Sequence, residues 1–140
     1  MRYSPILTIA ASLLIFLFVY AALSKLADFS LFKAELARQV LPVPMKAILA
    51  WTLPEAELLT ATALYFRPTR YWGFCLAFIL MAAFTIYTGL AVFHFFPLVP
   101  CSCGGVVRKM SWRLHLVFNV FFLLLSSLGI YPERKEAKRQ

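Results

Sequence analysis

Two cysteines stand two residues apart in Cys101-Ser102-Cys103-Gly104-Gly105, the stretch of this chain best equipped for chemistry. Such a pair has three uses: it closes a disulfide, it ligates a soft metal, or it stays inert. In extended backbone the two Cα atoms lie roughly 7 Å apart, outside the roughly 4.4–6.8 Å of a bridge, so the chain must bend to join them. Gly104 and Gly105 ease that bend. A ring this small is strained, and strained disulfides are more readily reduced, which favours a transferring role over a structural one. Arg108, Lys109 and Arg113 follow closely, and a helix starting near Trp112 adds its positive dipole end. Both influences favour the thiolate, the species that attacks a disulfide.

A metal would need more ligands. His94 lies seven residues before Cys101, and His115 twelve after Cys103. Two thiolates and two imidazoles suit zinc or copper, although the spacing follows no standard zinc pattern. Each histidine taken alone reads more readily as a packed or interfacial side chain than as a ligand. Cys75 precedes the pair by 26 residues, far enough for a helix to carry it to the opposite membrane face, and it reads as a packing residue.

Glu57 and Asn119 are the polar residues placed deepest in apolar sequence. An ionised side chain at bilayer depth costs several kcal/mol, so Glu57 is expected to face a bundle interior with a polar partner. The competing reading starts a helix at Pro54, with Glu55 and Glu57 near its N-terminus, where negative charge is favoured. Asn119 is able to hydrogen-bond a neighbouring helix.

These residues need elements to hold them, and composition says which. Of 140 residues, 62% are hydrophobic and 14% charged, with a mean hydropathy of +0.80. A soluble domain carries roughly 25% charged residues. So apolar a chain has too little polar surface to face water, and the lipid bilayer becomes its solvent. Lys and Arg exceed Asp and Glu by 14 to 6, but the cations fill short gaps between apolar runs. There they anchor helix ends and meet lipid headgroups, and no basic stretch is long enough for nucleic acid.

The spacing predicts an all-α fold: one domain over residues 1–140, an integral membrane four-helix bundle. Its spans are expected near 4–24, 45–66, 72–96 and 112–131, each long enough for about 30 Å of hydrocarbon. The first reads as a retained span, not a cleaved signal peptide, because its apolar core is too long and no small-x-small site follows. Between spans one and two, Phe29, Phe32, Leu36 and Val40 recur at helical spacing among charges, predicting an amphipathic helix over 28–40. Ser111 is a candidate N-cap for the last span, and residues 132–140 read as a frayed polar tail. Charge counting does not orient the bundle. With four spans, Arg2, Arg67, Arg70, Arg134, Lys135, Lys138 and Arg139 face Lys25, Lys33, Arg38, Lys46, Arg108, Lys109 and Arg113, seven against seven.

The features also come in a telling order. Ala22-Leu23-Ser24-Lys25-Leu26 closes span one and Pro54-x-x-Glu57 lies in span two. Cys101-x-Cys103-Gly104 follows span three, and Trp112 and Asn119 open span four. In that order, over nearly the whole chain, the sequence resembles the MauE/DoxX group of small redox-associated membrane proteins. The resemblance implies an architecture similar to vitamin K epoxide reductase, with the cysteine pair at the outer mouth of the last helix. It implies work with periplasmic thioredoxin-like or maturing partners, MauE being associated with maturation of a disulfide-rich enzyme subunit. It further implies the bacterial inner membrane, both termini cytoplasmic and the cysteine loop periplasmic. One departure stands out. The vitamin K epoxide reductase pair is Cys-x-x-Cys with further loop cysteines, whereas this chain has Cys-x-Cys and no cysteine between residues 25 and 44. Electrons relayed through it need a thiol pair on a partner protein, or a quinone that acts directly.

Two classes of function follow. In one the chain is a thiol-disulfide oxidoreductase using Cys101 and Cys103, supported by Glu57, Arg108, Lys109, Trp112, Arg113 and Asn119. In the other it is a non-catalytic membrane subunit or assembly factor that docks a partner, its cysteines merely stapling a loop.

Overall fold

The computed structural model describes residues 4–93 and 111–139, all of them in helices or the short turns between. The Cys101–Cys103 pair, His94, Arg108 and Lys109 lie outside the described residues.

Helix α1 runs Pro5–Ala27, with Pro5 in its first turn, where a fixed φ and a missing N–H cost nothing. It passes the expected end near residue 24 because Lys25, which reads as a stop, is buried at 2% exposure instead of meeting water. Helix α2, Phe29–Ala37, starts on an Asp28 cap that accepts from the Leu31 N–H at 3.1 Å. Its apolar face carries Phe32 and Leu36 into the bundle. It is shorter than the predicted 28–40, because residues 39–41 bend toward Pro42.

Helix α3, Val43–Tyr65, carries Pro54 in its interior. A 3-10 turn, Arg67–Thr69, reverses the chain into α4, Arg70–Val92. That turn is tied to the end of α3 by Thr69 Oγ1 donating to the Ala63 carbonyl at 3.0 Å and Arg70 Nε to that of Leu64 at 3.1 Å. Two carbonyls that the helix itself leaves unpaired are thereby satisfied. Helix α5, Trp112–Ala137, opens on Ser111, whose hydroxyl accepts from the Leu114 N–H at 3.2 Å, the cap its position predicts. The frayed tail is not seen: α5 continues through Pro132, and buried Glu133 lies 3.9 Å from Arg70. An ion pair to a distant helix is invisible to a local reading of the tail.

Among the described residues, three stretches are long and apolar enough to cross a membrane: Pro5–Ala27, Arg67–Val92 and Trp112–Ala137. Helix α3 has the length, but Lys46, Glu55 and Glu57 interrupt its apolar run. Its exposed side chains nonetheless include large apolar ones, with Ile48, Trp51 and Leu59 more than 60% exposed, beside exposed Thr52, Glu55 and Thr62. Large apolar residues outside and small ones inside suit a lipid solvent.

Helix α1 packs along α3, and α4 along α5. The pairs meet where α3 touches α4 and α5 touches α1. Their shared core is Leu14, Phe18, Leu64, Phe74, Met81 and Phe122. Close approach at one end depends on two glycines. A Cβ on Gly73 would fall 2.6 Å from the Leu64 nitrogen and 2.8 Å from the Ala63 carbonyl carbon; one on Gly129 would meet the Phe74 ring. Small residues at such crossings let backbones touch, the main source of helix association in lipid. Gly73→Ala is therefore expected to push α4 off α3 and to cost about 1–3 kcal/mol, an overpacking penalty. A lowered unfolding midpoint in detergent checks this; an unchanged midpoint would show that the backbones adjust freely.

Candidate functional site

At the end of the molecule away from Gly73 the two helix pairs part around a cavity of about 360 Å³. All five helices contribute to its wall, and its lining is overwhelmingly apolar. The few polar groups on it come from α1, the segment after α2, α3, α4 and α5.

The strongest is an ion pair. Lys25, in the last turn of α1, sends its ammonium to both oxygens of Glu57 on α3, at 2.9 and 3.2 Å. The third donor reaches back to the Ala21 carbonyl at 3.3 Å, and the Phe32 ring of α2 lies 5.9 Å from the nitrogen. The two side chains are 3% and 1% exposed. Glu57 therefore faces the interior with a polar partner, and the alternative of a helix start at Pro54 fails, because α3 begins eleven residues earlier at Val43. A buried pair of this kind is costly to half-remove, since a lone charge is left in low dielectric.

Two neutral contacts lie beside it. Tyr87 on α4 donates its hydroxyl to the Gln39 side-chain oxygen, tying the segment after α2 to α4. Asn119 on α5 is 3% exposed and donates through Nδ2 to Thr88 Oγ1 at 3.1 Å; the Thr88 hydroxyl itself donates to the Phe84 carbonyl at 2.7 Å. His115 is buried one turn from Asn119, its ring 6.3 Å from that of Trp112.

Of the residues singled out from sequence, Glu57, Trp112, Asn119 and His115 share this one cavity. Arg113 does not: it is exposed in the first turn of α5. Cys75, a free thiol, belongs to the second turn of α4. It is 18 residues from the helix's other end at Phe93, about 27 Å at 1.5 Å per residue. Among the described residues no three His, Cys, Asp or Glu side chains cluster to hold a metal ion.

Lys25, Gln39, Tyr87 and Thr88 were missed by sequence reasoning. For Lys25 a signal existed, because a carboxylate at membrane depth calls for a cation. Lys46, Arg67 and Arg70 lie nearer to Glu57 in sequence than Lys25 does, and only tertiary packing chooses among the cations.

The segment carrying Cys101 and Cys103 leaves α4 after Phe93 and enters α5 at Ser111. Tyr87, Trp112 and His115, all cavity residues, lie within a few residues of those two points. Comparison with the curated proteins and with the solved structures found no match. The family described as methylamine utilisation protein MauE, however, matches residues 3–132. With three membrane-length apolar helices and a match over nearly its whole length, the chain is a membrane protein that belongs to the MauE family.

Proposed function

We propose that the protein is a four-span membrane bundle that exchanges thiols and disulfides with a partner through Cys101 and Cys103. Its family places it with membrane proteins of methylamine utilisation, and we read its task there as redox service to a periplasmic thioredoxin-like or maturing protein. Helices α1, α3, α4 and α5 are taken as the four spans. In support, α3 is 23 residues long, about 34 Å at 1.5 Å per residue. Glu57 is neutralised by Lys25 inside the bundle, where lipid never meets it. An even number of spans leaves both termini on one side, taken as cytoplasmic, with the cysteine loop periplasmic.

The observation that carries the reading is the pairing of two thiols, eight and ten residues before Ser111, with a cationic run and a capped helix start. In the exchange, a thiolate attacks a partner disulfide and forms a mixed disulfide, expelling one partner thiolate. The second cysteine then attacks the mixed disulfide, so the pair ends oxidised and the partner reduced by two electrons. The same steps run backwards when the partner arrives as a dithiol. A membrane quinone taking two electrons and two protons from the reduced pair is the acceptor we favour, since the chain has no second cysteine pair.

Thiol trapping against defined glutathione poise tests this. A midpoint above about −250 mV would place the pair among labile, exchanging disulfides. Cysteines that stay reduced under every oxidant, or that release a stoichiometric metal on acidification, would overturn it.

A further inference from the structure

The cavity between the helix pairs has a chemistry that does not involve the thiols. Its wall is hydrocarbon and ring carbon, from side chains such as Leu17, Phe18, Leu53, Leu80, Phe84 and Phe118. Among the described residues, the two full charges that touch it, Lys25 and Glu57, are committed to each other. All three ammonium hydrogens of Lys25 have acceptors, two on Glu57 and one on Ala21. An anion or cation entering here would lose its water and find no free counter-charge among the described residues, which disfavours charged ligands.

Asn119 is different. It is buried at 3% exposure and lines the cavity, yet it uses one N–H on Thr88 and nothing more. A carboxamide has two donors and an acceptor, so a second N–H and the oxygen remain for something inside the cavity. A ligand carbonyl or hydroxyl answers that need, and a molecule without oxygen leaves it unmet. A volume of about 360 Å³ lies within the range of small-molecule sites, which are likewise mostly apolar with a few fixed polar groups. The wall is not sealed: Tyr20 and Met45 are 37% and 47% exposed, and Ala83 is exposed as well.

We infer that this cavity binds an uncharged, lipid-soluble ring compound bearing a carbonyl or hydroxyl oxygen, its apolar body between the helix pairs and its oxygen on Asn119. As the membrane-side acceptor of the exchange proposed above, this molecule rests on that reading; its binding does not.

The probe is 2,3-dimethyl-1,4-naphthoquinone, whose substituted ring carbons resist addition of thiols, and its oxygen-free twin is 2,3-dimethylnaphthalene. The full chain in lipid nanodiscs is heated with increasing probe. A ligand that binds only the folded state raises the midpoint saturably. We expect that rise for the naphthoquinone and binding weaker by about tenfold for the twin, the value of one hydrogen bond. Ala83→Phe, which adds a ring at the cavity wall, is expected to abolish the rise. Asn119→Leu is expected to bring naphthoquinone affinity down to that of the twin. The Cys101→Ser/Cys103→Ser chain is expected to bind as the wild type does, so failure of the cavity and failure of thiol exchange are read separately. Equal shifts in wild type and Ala83→Phe would show partition into lipid and overturn the site. Equal affinity of the two probes for wild type, which requires no variant to fold, would overturn the role of Asn119.

Discussion

Replacing Lys25 with Met is expected to cost the fold about 3–5 kcal/mol, and adding Glu57→Leu to that variant is expected to return most of the loss. The single change leaves a carboxylate that is 1% exposed, with no ammonium within reach and an apolar cavity on one side. Glu57→Leu alone strands the ammonium in the same way, although its third hydrogen keeps the Ala21 carbonyl. The double variant has neither charge, and replacing a whole buried pair with packed hydrocarbon is often neutral or stabilising. Unfolding of the four chains in one detergent closes a double-mutant cycle, which isolates the coupling between the two sites. Singles that each cost under about 1 kcal/mol would place the pair with solvated surface ion pairs, contrary to its burial. Thiol exchange measured on the folded double variant then separates two roles. Retained exchange makes the pair a clamp holding α1, α2 and α3 together, whereas lost exchange in a stable protein makes it part of the site.

How far sequence carries this molecule depends on the range of each interaction. Helices α1, α4 and α5 follow from unbroken apolar runs, and the Ser111 cap from three residues of local sequence. Glu57 is legible because a charge inside hydrocarbon demands an explanation. The other half of its ion pair was not. Lys25 follows twenty apolar residues, where a cation usually reaches for headgroups, and its partner is 32 residues away. The same limit applies to Gln39 with Tyr87, 48 residues apart, and to Arg70 with Glu133, which holds the last turn of α5 in place. Periodicity assigns a helix and its apolar face, but not which neighbour meets that face. The cavity is less legible still, since it is set by how two helix pairs diverge once Gly73 and Gly129 bring their other ends together.

Serine substitution of either Cys101 or Cys103 is expected to end turnover with an oxidised thioredoxin-like probe, and the two variants are expected to fail differently. One cysteine attacks and the other resolves. With the resolving thiol gone, attack still occurs and the mixed disulfide with the probe accumulates, visible as a reducible adduct on a non-reducing gel. With the attacking thiol gone, no adduct forms at the same rate. The asymmetry separates exchange from stapling. A structural bridge treats both cysteines alike, and closing a loop of three residues stabilises little, because cross-link stabilisation grows with loop length. Stability should therefore be nearly unchanged in both variants while turnover falls to background. The cationic neighbours add a second readout. Removing charge at Arg108, Lys109 and Arg113 is expected to slow attack by lowering the thiolate fraction, an effect that shrinks as pH rises and the thiol ionises unaided. Full turnover in both serine variants, or loss of partner binding with no adduct in either, would favour the docking subunit over the oxidoreductase.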